Sequence, residues 1–257
     1  ETRAPNPMKI LPDPKEEAHR IVRGAAQQNL TFRLLGGAAI SLHSPSASHR
    51  ALARSYPDLD FVLREKRGDR AETFLAELGY SPDKPFNLYN GHRRLLFHDA
   101  QLDRQVDVFV GEFHMCHTIP LGDRLELEPI TVPLAELLLT KLQIVQMNDK
   151  DVRDICALVL DHPLGDRDAE MLNEQRIASL CADDWGLWRT VGLSLEKVLE
   201  VSQGFGLGEE LQLTLGRQLA SLRQALEAAP KSTRWKMRAR VGDRVQWYEL
   251  PEEVRRA

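Results

Sequence analysis

The run Asp58-Leu59-Asp60-Phe61-Val62-Leu63 combines two carboxylates with an apolar pattern of period two. Side chains alternate between the two faces of a β-strand, so Asp58 and Asp60 share one face and Leu59 and Phe61 share the other. The pattern therefore predicts a strand with one face in a core. Two carboxylates at this spacing can bind one divalent cation or bridge two. Acidic pairs are also common at solvated strand ends, so the pair alone leaves both interpretations open.

A third carboxylate, Asp107, interrupts a second apolar run. The run is Gln105-Val106-Asp107-Val108-Phe109-Val110. An unpaired charge inside such a strand costs free energy. It is tolerated if Asp107 lies at a solvated strand end or shares a metal with Asp58 and Asp60, and we favour the shared metal. Asp99 and Asp103, which are near in sequence, are the alternative candidates for the third carboxylate.

A glycine pair precedes both acidic strands. Residues 31–35 form a short apolar run, Gly36 and Gly37 follow it, and residues 38–42 can start a helix. At a strand-to-helix turn, backbone N–H groups can approach phosphate oxygens, and the helix N-terminus favours negative charge. A glycine pair by itself indicates only a turn.

The remaining patterns divide the chain near residue 130. Before it, helical and alternating periodicities predict helices at 13–29 and 69–79 and strands at 93–98 and 104–110. After it, helices are predicted at about 133–146, 148–160 and 206–229, with one or two more between 168 and 200. Alternation around Gly242 predicts a terminal β-hairpin from 234–241 and 244–250. The fold class is therefore α/β, a mixed α+β core over 8–130, with a helical subdomain and a terminal hairpin over 131–257.

The order of glycine turn, Asp-x-Asp strand and single strand acid resembles the nucleotidyltransferase superfamily, which includes DNA polymerase β. More narrowly, residues 35–39, followed by Arg54 and residues 58–61, look similar to AbiEii-type toxins. These are nucleotidyltransferases of toxin–antitoxin and phage-defence systems. The resemblance spans residues 34–158. It departs from that family at Tyr56, where many members have Ser, and at an inserted-looking segment, 44–48.

The resemblance implies Mg²⁺-dependent transfer of a nucleoside monophosphate from a nucleoside triphosphate (NTP) to a hydroxyl acceptor. Asp58 and Asp60 are implied metal ligands, and Asp107 completes the carboxylate set and draws the proton from the acceptor. Gly36 and Gly37 are implied to hold the triphosphate. The helical half is then expected to close the cleft.

Two charged positions of the helical half extend the resemblance. Lys141 interrupts an apolar helical stripe at 134, 138 and 145. A lysine stem packed on apolar surface is the simpler explanation, whereas the resemblance implies that the ammonium binds the triphosphate. Residues 150–155 resemble the Lys-Asp/Arg-Asp segment of AbiEii-like proteins, which assigns Asp154 to the nucleotide site together with Asp151, one turn away. A charged helix start is the alternative there.

The charges of the chain restrict which kinds of acceptor it is expected to bind. The chain has 34 Lys+Arg against 38 Asp+Glu, a net charge of −4, which excludes a globally basic nucleic-acid-binding protein. Residues 231–257 hold eight basic and four acidic residues, so the predicted hairpin could present cations to RNA. These cations are Arg234, Lys236, Arg238 and Arg240. A solvated face is the simpler explanation. This charge pattern makes tRNA a candidate partner, and the resemblance to AbiEii-type toxins implies an antitoxin protein as another. The alternatives are a small-molecule acceptor such as an aminoglycoside, or a non-catalytic nucleotide-binding module.

Several further patterns exclude classes of protein. Three cysteines without close pairs argue against a disulfide framework and for the cytoplasm. No apolar run is long enough for a bilayer-spanning helix, so an integral membrane protein is not expected. His114, Cys116 and His117 lack a fourth ligand with suitable spacing and make a weak zinc candidate. Residues 1–7 are interpreted as a tail, an upstream extension or a cloning remnant and are excluded from the fold. No family motif follows Pro163.

Overall fold

The structure is a computed structural model that describes residues 10–251, so the predicted tail at 1–7 lies outside the described residues. The chain forms two compact units. Within the described range, the first contains residues 10–42, 55–113 and 120–132. The second contains His43–Arg54, His114–Ile119 and residues 133–251. Each unit is therefore built from segments that are distant in sequence.

The first unit contains a five-stranded sheet and four helices. Its elements are α1 (Pro14–Gln27), β1 (Phe32–Leu35), α2 (Gly36–His43, whose last residue belongs to the second unit), β2 (Leu59–Leu63), α3 (Asp69–Glu77), β3 (Ser81–Pro82), α4 (Lys84–Asn90), β4 (Arg94–Asp99) and β5 (Arg104–Val110). The strand order is β1-β2-β5-β4-β3. Strands β2 and β5 are parallel, and every other neighbouring pair is antiparallel. The mixed α/β fold predicted from the sequence is confirmed.

The two faces of this sheet differ in chemistry. One face is apolar: Phe32 of β1 contacts Phe61 of β2, with ring centroids 5.7 Å apart, and Phe74 of α3 at 5.8 Å. Helix α1 begins at the N-cap Asp13, whose side chain accepts hydrogen bonds from the first turn, and buries its apolar stripe. The opposite face carries Asp60 and Asp107, which are partners in the β2–β5 register. The apolar face supplies the core, so the other face can carry chemistry.

The second unit is mainly helical. Its helices are α5 (Leu134–Leu142), α6 (Asp149–Asp161), α7 (Glu174–Asp183), α8 (Trp185–Ser202), α9 (Glu209–Ala228) and α10 (Thr233–Ala239). Two-residue strands lie at Phe113–His114 (β6, whose first residue belongs to the first unit), Thr118–Ile119 (β7), Leu164–Gly165 (β8) and Leu172–Asn173 (β9). The leucines of α9 at 215, 219, 222 and 226 are buried, as their helical spacing indicates. Helix α6 begins with a capping box between Asn148 and Asp151.

The predicted terminal β-hairpin is wrong. Residues 233–239 form helix α10, and residues 242–244 form a short 3₁₀ turn. The side chain of Ser232 accepts a hydrogen bond from the backbone N–H of Trp235 (3.1 Å) and so caps the helix. The sequence of α10 is rich in Arg, Lys, Met and Ala, which are strong helix formers. These local preferences outweigh the alternation of charged and apolar residues.

No helix within residues 10–251 has the length and apolar character needed to cross a bilayer.

Candidate active site

The carboxylates at the centre of the sheet share one face. Asp60 of β2 and Asp107 of β5 are direct partners in the register of these parallel strands. Side chains of paired residues point to the same face of a sheet, so the two carboxylates are neighbours. Asp58 lies just before β2, and its Oδ1 accepts a hydrogen bond from the backbone N–H of Gln105 (3.3 Å). Asp107 is only 2% exposed, whereas Asp58 and Asp60 are half-buried.

The glycine turn lies directly against one of these carboxylates. Gly36 opens α2 with a φ of +70°, a conformation that favours glycine, and a Cβ built on it would lie 2.1 Å from Oδ2 of Asp60. Leu35, the preceding residue, pairs with Asp60 in the antiparallel β1–β2 ladder. Gly37 follows inside the first turn of α2 and is buried. The strand pairing therefore brings the predicted phosphate-binding turn to the Asp-x-Asp strand.

The substitution Gly36→Ala tests this close approach. A non-glycine residue in the left-handed region costs about 1–2 kcal/mol, and the added methyl group must also displace the Asp60 carboxylate. We expect the free energy of unfolding to fall by at least that amount in urea denaturation followed by far-UV circular dichroism. The control Gly216→Ala has nothing within 4 Å of the added Cβ and lies inside α9. It should leave stability unchanged or raise it by about 0.5–1 kcal/mol. Equal stability of Gly36→Ala and wild type would contradict the geometry.

The charge of Asp107 is balanced by a residue that sequence analysis did not single out. Nε of Arg94, on β4, donates to Oδ1 of Asp107 at 2.7 Å, and Nε2 of Gln105 donates to Oδ2 at 2.6 Å. Solvation and a shared metal are the two compensations for this acid that the sequence predicts. The structure adds a third solution, an ion pair with the neighbouring strand. Only the pairing of β4 with β5 identifies Arg94 as the partner.

A second buried arginine holds the start of the acidic strand. Arg104 of β5 is 3% exposed, and its guanidinium donates to three carbonyl oxygens. One belongs to Pro57, directly before Asp58, and the other two belong to Leu11 and Pro12. Arg104 thereby joins β5, the entry to β2 and the segment that leads into α1. Sequence analysis missed this role because carbonyl partners leave no residue-type signal.

The donor set of this face suits a cation that prefers oxygen ligands. Mg²⁺ is commonly held by one or two carboxylates and completes its coordination with substrate phosphates and water. Asp58 and Asp60 supply such a pair at the start of β2, beside the glycine turn. Within residues 10–251 no group of three or more His, Cys, Asp or Glu side chains is arranged to hold a metal ion. The carboxylates fit an open magnesium site, in which the protein supplies only part of the coordination, better than a closed protein cage.

In the second unit, Lys141 and Asp154 belong to a buried ion network. Nζ of Lys141 lies 2.8 Å from Oδ1 of Asp151 and 2.9 Å from Oδ2 of Asp154. Arg54 binds both oxygens of Asp154, with Nε at 2.8 Å and Nη2 at 2.6 Å. The Asp154 side chain is fully buried. Two cations therefore balance two carboxylates, and the geometry explains why Lys141 interrupts an apolar stripe.

This network controls the protonation of Lys141. Burial alone lowers the pKa of its ammonium group, but the charges of Asp154 and Asp151 outweigh burial and raise the pKa above its usual range. Lys141 is thus firmly charged, with two of its N–H donors bound to carboxylates. Its predicted contact with a triphosphate, and the nucleotide-binding role of Asp154, stay predictions.

The C-terminal cations do not form the single face that a hairpin would give them. Arg238 turns inward, donates to the carbonyl oxygens of Gly242 (2.8 Å) and Val245 (2.7 Å), and lies 4.6 Å from the Trp185 ring centroid. It is therefore part of the local fold. Within the described part of this segment, up to residue 251, the exposed cations are Arg234, Lys236, Arg240 and Arg244.

The zinc candidates use their ring nitrogens in hydrogen bonds. His114 contacts the Thr118 hydroxyl through Nδ1 (2.6 Å) and Oε2 of Glu249 through Nε2 (2.9 Å). Nε2 of His117 contacts the Thr190 hydroxyl at 2.8 Å. Burial lowers the pKa of His117 to about 4. His117 is therefore neutral at physiological pH and forms part of the buried hydrogen-bond network.

Comparisons with known proteins return distant likenesses among solved structures, and two of them are given below. No protein-family model and no curated protein matches the chain. The antibiotic-resistance factor ANT(2'')-Ia is 14% identical, with 81% of this chain and 92% of that chain covered and a TM-score of 0.34. An antigenic nucleotidyltransferase-like protein from Paracoccidioides brasiliensis is 16% identical, with 85% and 94% covered and a TM-score of 0.38. At TM-scores this low, function has to be argued from the residues of this chain.

Proposed function

We propose that this chain is a nucleotidyltransferase that moves a nucleoside monophosphate from an NTP to a hydroxyl acceptor. The proposal is carried by the contact of the glycine turn with Asp60, which has Asp107 as its partner on the neighbouring strand. Backbone N–H donors suited to phosphate oxygens thereby lie beside carboxylates suited to a divalent cation. The acid-bearing face is also separate from the apolar face that forms the core.

Each residue of the site has a role in this reaction. The N–H groups of the Gly36–Gly37 turn donate to triphosphate oxygens. Asp58 and Asp60 are the proposed Mg²⁺ ligands, and Asp107 completes the carboxylate set. The metal, when bound, neutralises phosphate charge and helps to align the reacting groups. Asp107 accepts the proton of the acceptor hydroxyl on a carboxylate oxygen, the hydroxyl oxygen bonds to the α-phosphorus, and pyrophosphate leaves.

An acceptor with a phosphate backbone is favoured by the C-terminal segment. Arg234, Lys236, Arg240 and Arg244 are exposed there, and such cations bind nucleic acid by neutralising phosphates. We therefore propose tRNA as the first acceptor to test and an aminoglycoside-type small molecule as the second. A toxin role and an antitoxin partner stay predictions from the sequence resemblance.

Transfer of α-labelled nucleotide tests this proposal. Purified protein is incubated with Mg²⁺, each of the four α-labelled ribonucleoside triphosphates, and either total tRNA, protein or an aminoglycoside. We expect label on tRNA with at least one nucleotide, at a rate that falls steeply between about 50 and 200 mM salt. The double variant Arg240→Glu/Arg244→Glu should weaken transfer to tRNA. Arg238 is spared because its contacts hold the local fold.

The outcomes separate the acceptor classes. Label on an aminoglycoside, without salt dependence and unaffected by the double variant, would assign a small-molecule acceptor and overturn the tRNA proposal. Absence of label and of pyrophosphate release with every acceptor, together with retained nucleotide binding, would contradict the enzyme and support a nucleotide-binding module.

A further inference from the structure

We propose that Arg94 and Gln105 are positioning residues that hold the Asp107 carboxylate so that its remaining lone pairs face Asp60. The inference rests on the proposed function, because it assigns Asp107 an orientation that the reaction needs. Neither residue is proposed to touch the substrate. Their role is to act through Asp107.

Each oxygen of Asp107 receives one donor from this pair. Nε of Arg94 binds Oδ1 at 2.7 Å, and Nε2 of Gln105 binds Oδ2 at 2.6 Å. A carboxylate oxygen has two lone-pair sites, so each oxygen keeps one more. Strand β5 lies between β2 and β4, which places Arg94 and Asp60 on opposite sides of Asp107. An Asp107 carboxylate held by Arg94 from the β4 side can turn its remaining lone pairs toward Asp60.

The two positioning side chains are themselves held in place. The Arg94 guanidinium is 5.3 Å from the ring centroid of Phe109 and 5.7 Å from that of Phe86, and the Arg94 side chain is 12% exposed. Helix α4, which carries Phe86, is joined to β4 by a buried hydrogen bond from the Leu96 N–H to Oδ1 of Asn87 (2.7 Å). Gln105 also donates its backbone N–H to Asp58. Gln105 thus contacts two of the three carboxylates.

Arg94 also sets the charge of the face. The Arg94 guanidinium places one positive charge beside the Asp107 carboxylate. Removing the cation should make the face more attractive to a divalent ion, because the attraction grows with the negative charge. The same change frees the Asp107 carboxylate to rotate and should slow the reaction. A positioning role therefore predicts opposite effects on kcat and on metal affinity, which a general loss of structure would not produce.

The variants Arg94→Met, Arg94→Lys and Gln105→Met test the proposal. Arg94→Met should lower kcat about 100-fold, the size expected when a reacting group is misplaced by about 1 Å. Its KM for NTP should change little, and its affinity for Mn²⁺ alone, measured by electron paramagnetic resonance, should rise severalfold. Arg94→Lys should recover about tenfold of the lost kcat, since it restores the charge without the planar guanidinium. Gln105→Met should lower kcat without raising Mn²⁺ affinity.

Arg67→Met is the matched control, because the Arg67 side chain is 86% exposed and pairs with Asp69 on the surface. It should match wild type in kcat and in Mn²⁺ affinity. If wild type transfers nucleotide and Arg94→Met keeps the wild-type kcat, the positioning proposal is overturned while the proposed function stands. If wild type transfers no nucleotide, the proposed function fails. The Mn²⁺ affinity of Arg94→Met then tests the contact between Arg94 and Asp107 by itself. A severalfold rise in Arg94→Met then supports the charge-setting contact with Asp107, and unchanged affinity overturns it.

Discussion

The variant Asp60→Asn is expected to lose nucleotidyl transfer by on the order of 10³-fold or more while remaining folded. Asn keeps the size of the side chain and removes the charge that a divalent cation needs. Asp60 is half-buried at the centre of the acid-bearing face. It lies against the glycine turn and is the register partner of Asp107 on the neighbouring strand. Phosphoryl transfer depends on positioning and charge neutralisation, so loss of one metal-ligand carboxylate should raise the barrier by several kcal/mol.

The measurement is initial rate of label transfer over a range of Mg²⁺ concentrations. Asp58→Asn should behave in the same way, because Asp58 is the other member of the proposed ligand pair. Asp69→Asn is the control: Asp69 opens α3 with a side chain that is 65% exposed. Far-UV circular dichroism monitors folding. An Asp60→Asn rate within tenfold of wild type would contradict the assignment of this carboxylate.

The variant Asp154→Asn is expected to lower the free energy of unfolding of the second unit by about 3–5 kcal/mol, the usual cost of breaking a buried ion pair. Asp154 is fully buried and neutralises both Arg54 and Lys141. Asparagine can accept only part of these hydrogen bonds and leaves two cations facing a neutral group. The loss should exceed that of a surface ion pair, which typically contributes about 0–1 kcal/mol.

Tryptophan fluorescence during urea denaturation measures the unfolding of the second unit selectively. All four tryptophans, at 185, 188, 235 and 247, belong to the second unit. The control Asp149→Asn changes an exposed acid in the first turn of the same helix and should cost at most about 1 kcal/mol, the helix-dipole contribution. Equal denaturation midpoints for Asp154→Asn and wild type would show that the network does not stabilise the unit.

The network also predicts the pH range in which Lys141 stabilises the second unit. The folded-state pKa of Lys141 is raised, so its contribution is fully present below the unfolded pKa of about 10.4 and is lost as pH rises through the folded value. The fluorescence-detected stability of wild type should therefore not decline through titration of Lys141 between pH 7 and pH 9.

Local patterns were sufficient for many elements but not for all. The alternation in residues 58–63 and 104–110 predicted β2 and β5, and the leucine spacing predicted α9. Helix α5 ends at Leu142, before the predicted end near residue 146. The seven-residue helix α4 was not predicted, because a segment this short that holds a proline in its first turn shows little helical periodicity. The terminal hairpin was wrong because alternation over a few residues does not distinguish a strand from a short capped helix.

The sequence by itself determined that Asp60 lies on the face of β2 opposite to Leu59 and Phe61, because the two-residue period of a strand alternates side chains between its faces. It also determined that Gly36 and Gly37 follow one strand and precede a helix. Only the tertiary structure decided that Asp107 is the partner of Asp60, that Arg94 balances Asp107, and that Asp154 holds Arg54 and Lys141. The physical reason is that strand register and ion pairing join residues that are distant in the chain. Arg54 and Asp154 are separated by 100 residues, and no local periodicity specifies such a contact.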